Sequence, residues 1–505
     1  MLQEAYATTE TAEFADVLLP ATSWGEKDGT MTNSERRIAR VRSSVPKPFE
    51  ARHDWEIACD FGRRLEKRCQ GQFSPGNAGE PAPPKTVPDT VFPFTTPEQI
   101  WNEHRETTRG RDLDITGLSY AILDEHGPQQ WPYPEGAASG TVRLYGDGNF
   151  PTASGKARFF VESYRPVAER VDARYPMRLT TGRLRDQWHG LSRTGTVATL
   201  YGHVPEPRLG MSAADMARRA LKTGDLVRVE SRRGALHVVV EADESLRSGQ
   251  VYLPMHWGRR HLGGTASEGV NTVTSAALDP LSRQPELKHA AVKITAAQLP
   301  WRLMAIAETD PSLVDRLQAL QGDVAFASTV LLGGAHEGVL FRAAHAQAPP
   351  AAWLEALDTA FGLDEADVLP YDDARRARSR RIRIDGERLV ALRIAGEASC
   401  IGAGEWMRAS LADGTSVAAI RRLLLSPDLN ALAATMRPQS PIVCRCHGVR
   451  EDRIEEVLAR TGGDARERLQ ALQAELACGT ECGSCLPELR TRIVKAGPKA
   501  GRMAA

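Results

Sequence analysis

The chain has 505 residues, 42% of them hydrophobic and 25% charged, and its 64 basic side chains are balanced by 64 acidic ones. A chain of this length exceeds one compact core, so several domains are expected, and the balanced charge disfavours attraction to nucleic acid or to an anionic membrane. No apolar run approaches the roughly 20 residues of a transmembrane helix, and the first residues lack the features of a secretory signal. These properties predict a cytoplasmic protein, in which clustered thiols more often bind metal than form disulfides.

Residues 1–174 predict a mixed α/β region. The apolar run 17–19 predicts a short buried strand, which ends at Pro20 and is followed by a polar loop. Apolar residues at helical spacing predict a helix over 54–67, with Asp54 as its N-cap. Six prolines and three glycines over 71–95 predict a surface loop.

A different pattern begins near Tyr175. Short apolar runs separated by glycine-containing turns predict a small β-barrel or sandwich over 175–298, in which residues 231–234 separate two runs at hairpin distance. Segments rich in Ala and Leu predict helices in the first part of 299–439, and the pair Asp385–Gly386 between apolar runs predicts a hairpin there. Residues 299–439 are therefore expected to form an α+β insert.

Five of the eight cysteines lie near the end of the chain. Cys444 and Cys446 form a C-x-C pair, and Cys482 and Cys485 form a C-x-x-C pair after 35 intervening residues. The tail after residue 440 has three helical patterns, and two of them form short amphipathic helices between the pairs that would bring the cysteines together. Four thiolates suit either a tetrahedral zinc ion or a 2Fe–2S cluster. The tight C-x-C pair and the glycines beside the cysteines favour the cluster over zinc or a disulfide. Cys478 is a fifth candidate, for which a nearby non-ligand is the favoured interpretation.

The motifs "VCRCHGV" and "CGTECGSCLPELR" resemble the bacterioferritin-associated-ferredoxin-like (BFD-like) 2Fe–2S domain. The resemblance covers 440–495 and implies a small helical domain. It also implies that Cys444, Cys446, Cys482 and Cys485 are the cluster ligands.

Three segments earlier in the chain resemble the molybdopterin oxidoreductase superfamily, in the branch of the nitrate reductases and formate dehydrogenases. They are "ETAEFADVLLPATSWGEKDGTMTNSERR", "TTGRLRDQWHGLSRTG" and "EGVNTVTSAALDPLSRQPELKHAAVKI". The resemblance implies an α/β multidomain protein, with part of the catalytic domain over 1–174 and a six-stranded, double-psi-like barrel that binds the molybdopterin dinucleotide over 175–298. The segment "YDDARRARSRRIRIDGERLVALRI" in the insert over 299–439 resembles the C-terminal domain of FAD-dependent nitrite reductases and related reductases.

The family pattern also implies the contacts of a molybdenum bis(molybdopterin guanine dinucleotide) cofactor. Arg183 and Lys288 suit its phosphates, and a carboxylate such as Asp54 suits the donors of guanine. The implied contacts are Gln3, Glu4, Lys27, Asp54, Thr181, Gly182, Arg183, Trp188, His189, Asn271 and Lys288.

Plain structural roles stay open for several of these residues. Asp54 alone is compatible with a helix cap, Lys27 with a solvated loop charge and Trp188 with the core. The single histidines have no partner nearby in sequence and are expected to be structural; they are His203, His256 and His261.

The implied reaction is the reduction of nitrate to nitrite by oxygen-atom transfer, as in assimilatory nitrate reductases. Electrons would come from an FAD- and NADH-dependent reductase subunit, a ferredoxin or a flavodoxin, without a nucleic-acid or membrane partner. Members of the family begin with a C-x-x-C-x-x-x-C segment for a 4Fe–4S cluster, and this chain lacks it, so an N-terminally truncated chain is expected and no catalytic residue is named. A formate dehydrogenase-type enzyme and a non-catalytic cofactor-binding or electron-transfer fragment are the alternatives.

Overall fold

The computed structural model describes residues 1–4, 6, 9–69, 90–265, 267–308, 311–401, 404–421, 424, 426 and 440–497. Most of the proline-rich loop that we predict over 71–95 lies outside the described residues. The chain forms two compact units, residues 1–165 and residues 166–505. None of the described helices is long and apolar enough to cross a membrane.

The described residues of the first unit form two small sheets and three α-helices. A parallel pair joins β1 to β2, and an antiparallel sheet has the order β3-β4-β5. Its strands are β1 (Leu2–Glu4), β2 (Leu18–Pro20), β3 (Gly29–Thr32), β4 (Arg37–Val41) and β5 (Gln129–Gln130), and its helices are α1 (Asp54–Arg68), α2 (Pro97–Glu106) and α3 (Tyr120–His126). A core that includes Ile38, Trp101 and Leu118 lies between these elements.

Two predictions for this unit are wrong in detail. The run 17–19 is not buried, because β2 belongs to a two-stranded sheet, and Val17 and Leu18 are 49% and 36% exposed. A sheet of two strands leaves most of its surface open. The helix predicted over 54–67 is present, but its N-cap is His53, whose backbone N–H donates to Glu56 at 2.9 Å. Asp54 is the first helical residue.

The second unit begins with a closed barrel of six strands in the order β10-β6-β12-β8-β9-β7. The pairs β10–β6 and β7–β9 are parallel and the others are antiparallel, so the barrel is mixed. Its six strands confirm the number that the family resemblance implies. Its strands are β6 (Met177–Gly182), β7 (Arg208–Met211), β8 (Leu226–Glu230), β9 (Ala235–Ala242), β10 (Gln250–Pro254) and β12 (Ala290–Ala296), and helix α4 (Ala213–Arg218) follows β7. The hairpin predicted at 231–234 joins β8 to β9.

An antiparallel sheet of seven strands follows the barrel, in the order β11-β14-β15-β13-β18-β17-β16. The strands are β11 (Leu262–Gly263), β13 (Trp301–Glu308), β14 (Phe326–Leu332), β15 (Gly338–His345), β16 (Leu369–Asp373), β17 (Arg378–Asp385) and β18 (Arg388–Glu397). The helices are α5 (Leu313–Gln321), α6 (Ala351–Ala360), α7 (Ala398–Ile401) and α8 (Gly404–Asp413). The hairpin predicted at Asp385–Gly386 joins β17 to β18.

The prediction of helices in the first part of this insert is partly wrong. Three of its Ala- and Leu-rich segments are the strands β13, β14 and β15, and nearly all of their residues are buried. A strand that is covered on both faces has no alternation of polar and apolar residues, so its sequence reads like that of a buried helix.

The barrel and the seven-stranded sheet share one hydrophobic core, which runs from Met177 to Leu424. Strand β11, from the barrel segment of the chain, pairs with β14 of the sheet. Glu206 adds an ionic link, because it accepts two hydrogen bonds from the Arg342 guanidinium, one of them at 3.0 Å. Burial alone would raise the pKa of Glu206, but Arg342 holds it at about 2. Arg342 also pairs with Glu405 on α8.

Residues 440–497 form a small helical domain, which we call the thiol domain. It contains β19 (Ile442–Cys444), β20 (Val449–Arg450), α9 (Glu451–Arg460), α10 (Ala465–Leu476) and α11 (Leu486–Lys495). The three helices match the three helical patterns of the sequence. Their apolar faces enclose a core of Ile454, Leu472 and Leu489 together with three cysteines.

We predict that Glu206→Gln weakens the link between the barrel and the sheet. The substitution removes one of the two negative charges that neutralise the buried Arg342 guanidinium, so the free energy of unfolding should fall by about 3 kcal/mol. This value is the lower end of the range for a broken buried ion pair, because Glu405 still pairs with Arg342. Urea unfolding followed by tryptophan fluorescence measures this loss. Glu355→Gln, at an exposed position of α6, is the control and should change stability by less than about 0.5 kcal/mol. Equal losses in the two variants would contradict the prediction.

Candidate cofactor sites

The carboxyl end of β6 carries two of the predicted cofactor contacts. The Thr181 hydroxyl donates to the backbone oxygen of Leu287 at 2.8 Å, which holds the segment before Lys288 beside this strand. A Cβ atom on Gly182 would lie 3.0 Å from the ring of Tyr252, so there is little room for a side chain. The Tyr252 hydroxyl donates to the Arg183 carbonyl at 3.1 Å and fixes the point at which the chain leaves the barrel.

The loop that follows places Arg183, Trp188, His189 and Arg193 together; we call these four residues the basic–aromatic cluster. The rings of Trp188 and His189 meet edge to face at 4.7 Å between centroids. The guanidinium groups of Arg183 and Arg193 lie 5.7 and 5.3 Å from the Trp188 ring centroid. Trp188 is 41% exposed, so it does not belong to the core. Positive charges beside exposed rings suit a planar, anionic ligand.

His256 is fully buried and bonds to two backbone groups of this loop. The Leu184 N–H donates to its Nε2 at 2.8 Å, which makes Nε2 the acceptor and leaves Nδ1–H to donate to the His189 carbonyl at 2.5 Å. Burial lowers the pKa of His256, consistent with this neutral tautomer. His189 has φ at 39° and Leu191 at 66°, left-handed conformations that the surrounding bonds must hold. The structural role predicted for His256 is therefore confirmed.

The other predicted contacts of the second unit lie on the surface. Asn271 is in a short 3-10 helix, is exposed, and its side-chain oxygen accepts from Thr274 at 3.4 Å. Lys288 is also exposed, beside the Leu287 carbonyl that Thr181 binds. Their roles as cofactor contacts stay predictions.

In the first unit, Lys27 and Asp54 are bound to each other through the Lys27 ammonium and the Asp54 carboxylate. The Lys27 side chain is only 26% exposed, so neither a free loop charge nor a helix cap describes the pair. Gln3 and Glu4 lie in β1, and their side chains are outside the described part of the chain.

The two cysteine pairs come together as their spacing predicts. The sulfurs of Cys446 and Cys482 lie 3.3 Å apart at the surface. Cys444 and Cys485 are buried, and their thiols share a hydrogen bond. Each member of the C-x-C pair thus contacts one member of the C-x-x-C pair. These four thiols form two contacting pairs, and four thiols are the donor set of a 2Fe–2S cluster, so the residues fit that group in kind. Within the described residues, no three of these side chains are arranged to hold a metal ion.

Cys478 joins the buried pair, which spacing alone did not reveal. Its thiol also bonds to Cys444, and burial raises the pKa of Cys478 to about 12, so that it is protonated unless a metal binds it. At the surface, hydrogen bonds from Ser484 lower the pKa of Cys482. The site therefore has five thiols, three of them buried.

Several residues beside the thiols were not predicted. Arg185 and Asp186 lie in the loop after β6, and Glu488 lies in the first turn of α11. Arg185 bonds to Asp186 at 2.9 Å and reaches Glu488 at 3.4 Å. Their charged side chains stand inside the quoted motifs, but a contact across some 300 residues has no signal in local sequence.

Three family descriptions match separate parts of the chain. Molybdopterin oxidoreductase matches residues 1–64, the molydopterin dinucleotide binding domain matches residues 177–291, and the BFD-like 2Fe-2S binding domain matches residues 442–493. The chain thus combines the domains that the sequence motifs predict. Their cofactors are molybdenum bis(molybdopterin guanine dinucleotide) and a 2Fe–2S cluster.

Curated relatives include enzymes of two kinds. A nitrate reductase of Klebsiella oxytoca is 31% identical over 98% of this chain and 52% of its own length. A nitrate reductase of Synechocystis sp. is 40% identical over 58% of this chain and 38% of its own length. A formate dehydrogenase subunit alpha of Methanocaldococcus jannaschii is 35% identical over 57% of this chain and 37% of its own length. The chain spans about half the length, or less, of these relatives.

We predict that acid destabilises the second unit partly through His261. This side chain is buried, with Nδ1 3.0 Å from the Thr329 carbonyl, and burial lowers its pKa from 6.5 to about 4. Between these values the unfolded chain binds a proton that the folded chain does not, so stability is lost as the pH falls, by about 1.4 kcal/mol for each pH unit.

Urea unfolding at several pH values between 6.5 and 4.5 measures this slope. His261→Gln keeps a donor for the Thr329 carbonyl and should show a shallower slope than the parent chain. His126→Gln, at a position whose side chain is 58% exposed, is the control and should keep the parent slope. An unchanged slope in the His261 variant would refute the assignment.

Proposed function

We propose that this chain belongs to a molybdenum-dependent nitrate reductase that reduces nitrate to nitrite in the cytoplasm for nitrogen assimilation. The main observation behind this proposal is that one chain contains both a dinucleotide-binding barrel and a thiol domain that contacts it. The similarity to the Klebsiella oxytoca enzyme extends over both, since it covers 98% of this chain. The proposal concerns a protein of the relatives' full length; this chain spans 52% of the Klebsiella oxytoca enzyme.

The residues of the barrel are proposed to bind and orient the dinucleotide. Arg183 and Arg193 would neutralise its phosphates, while Trp188 and His189 would contact a planar ring. Thr181 and Gly182 would let the ligand approach the strand end closely, because the side chains there are small. When bound, the cofactor supplies the oxygen-atom transfer chemistry, which the protein positions and tunes.

Further contacts are proposed for the residues that the family pattern implies elsewhere. Asn271 and Lys288 are exposed on the barrel and free to reach a ligand from solvent. In the first unit, Asp54 can accept from the guanine donors, and its partner Lys27 neutralises the carboxylate until the ligand binds. Gln3 and Glu4 complete the proposed set.

The thiol domain is proposed to deliver electrons one at a time. Cys444, Cys446, Cys482 and Cys485 would hold the 2Fe–2S cluster, with the Cys446–Cys482 edge facing solvent. A flavin-dependent reductase subunit, a ferredoxin or a flavodoxin would supply the electrons at that edge.

Formate oxidation is the second candidate, and a specific observation supports it. The formate dehydrogenase subunit of Methanocaldococcus jannaschii is 35% identical over 286 residues. That similarity covers 57% of the chain, whereas the similarity to the Klebsiella oxytoca nitrate reductase covers 98%. The broader match favours nitrate.

We expect the chain, purified without oxygen, to bind about two irons and to give an EPR signal on reduction. Cys444→Ser and Cys482→Ser should each remove most of the iron, because each removes one of four ligands. Cys478→Ser should retain it, and Cys69→Ser, outside the thiol domain, is the control. Iron content and EPR of all variants decide the assignment. Stoichiometric zinc in place of iron would refute the cluster.

Substrate choice is tested in the longest polypeptide that the reading frame encodes, with a viologen as the redox dye. Nitrate should oxidise the reduced dye, and formate should not reduce the oxidised dye; the opposite result establishes the formate alternative. Arg183→Ala should lower the molybdenum content by about tenfold, the loss of one charge-assisted phosphate contact. Arg247→Ala, at an exposed position before β10, is the matched control. Equal molybdenum content in the two variants would remove Arg183 from the proposed site.

A further inference from the structure

The loop over 183–203 contacts the thiol domain as well as carrying the basic–aromatic cluster. The Arg185 guanidinium donates two hydrogen bonds to the Asp186 carboxylate, at 2.9 and 3.0 Å, and one to the Glu488 carboxylate at 3.4 Å. His203, at the other end of the loop, places its Nε2 3.3 Å from the same Glu488 oxygen. Both ends of one barrel loop therefore converge on one carboxylate of α11.

A second contact lies beside this carboxylate. A Cβ atom on Gly202 would fall 1.9 Å from Nη1 of Arg445 and 2.4 Å from its Cζ, so the guanidinium rests on the bare backbone of Gly202. Arg445 stands between Cys444 and Cys446 in the chain. Any side chain at residue 202 would have to displace it.

These contacts lie against the proposed cluster ligands. Glu488 is one turn of helix beyond Cys485. Arg185, bound to Asp186 at 2.9 Å, reaches this turn of the helix through Glu488 at 3.4 Å. Both loop charges therefore stand beside the first turn of α11, on the barrel side of the thiol domain.

We propose that Arg185, Gly202 and His203 form the docking surface on which the thiol domain is seated, with Glu488 as its anchor and Arg445 packed beside it. The seat holds the cluster-binding thiols in a fixed position against the loop that bears the basic–aromatic cluster. Arg185 and Asp186 are positioning residues, and their charges tune the cluster. The identity of the metal group rests on the proposed function, whereas the docking contact does not.

The docking part is tested by hydrogen exchange of the iron-loaded full chain. Arg185→Glu places a third carboxylate beside those of Asp186 and Glu488 and should speed amide exchange in 183–203 by about tenfold, because the loop loses a partner that protects it. Glu488→Arg should do the same, and the double variant should restore slow exchange. Glu456→Gln is the control, because Glu456 is exposed on α9, where its carboxylate pairs with Arg453 at 2.6 Å.

Unchanged exchange in Arg185→Glu, or a double variant no better than the single ones, overturns the docking surface. Iron content reports separately on the cluster, so a chain that lacks iron contradicts the proposed function and leaves the exchange comparison readable. Because charge reversal at residue 488 also affects Arg492, Arg185→Gln serves as a milder variant within the barrel.

The tuning part has its own readout, the midpoint potential of the cluster. Reduction adds a negative charge, which a nearby cation stabilises and a nearby anion opposes. Arg185→Gln should therefore lower the potential, and Asp186→Asn should raise it, while Arg453→Gln should leave it unchanged. Shifts of the same sign in both loop variants, or none, would overturn the assignment.

Discussion

The neutral imidazole of His256 holds the loop over 183–203. This loop carries the basic–aromatic cluster and contacts the thiol domain, which are the two proposed cofactor sites of the second unit. The imidazole accepts from the Leu184 N–H and donates to the His189 carbonyl, so that it spans the start of the loop from inside the barrel. This buried bridge and the Leu191 N–H, which donates to the Trp188 carbonyl at 2.8 Å, hold the left-handed residues His189 and Leu191 in their conformation. The basic–aromatic cluster on one side and the seat of the thiol domain on the other both follow from that conformation.

The seven-stranded sheet explains why the loop has a rigid base. Its β14 accepts β11 from the barrel segment, and its core is continuous with that of the barrel, so the two layers cannot shift independently. Glu206 and Arg342 lie in that contact with both charges largely removed from water. Such pairs contribute modestly to stability when intact but are costly to break, which makes the contact specific in its geometry.

Local sequence predicted the features that depend on local chemistry. The hairpins at 231–234 and 385–386, the three helices of the thiol domain and the convergence of its cysteine pairs follow from turn residues, periodicity and spacing. The strands over 301–345 were missed because burial on both faces removes their alternation. The Asp54 cap was wrong because the helix begins one residue earlier than expected, with His53 as its N-cap, while the Asp54 carboxylate pairs with Lys27. The contact between Arg185 and Glu488 depends on tertiary structure alone, while the proposed cofactor roles and the domain boundaries stay predictions.

The thiol site has two unlike sides. Cys446 and Cys482 are open to solvent, whereas Cys444, Cys478 and Cys485 are enclosed by helices and face apolar side chains. Electron tunnelling weakens steeply with distance, so an external donor that touches the open edge would be favoured over one that approaches through the helices. The same asymmetry exposes only one edge of a bound cluster to oxygen. The burial of three sulfurs would then determine both the side from which electrons enter and the protection of the cluster from oxygen.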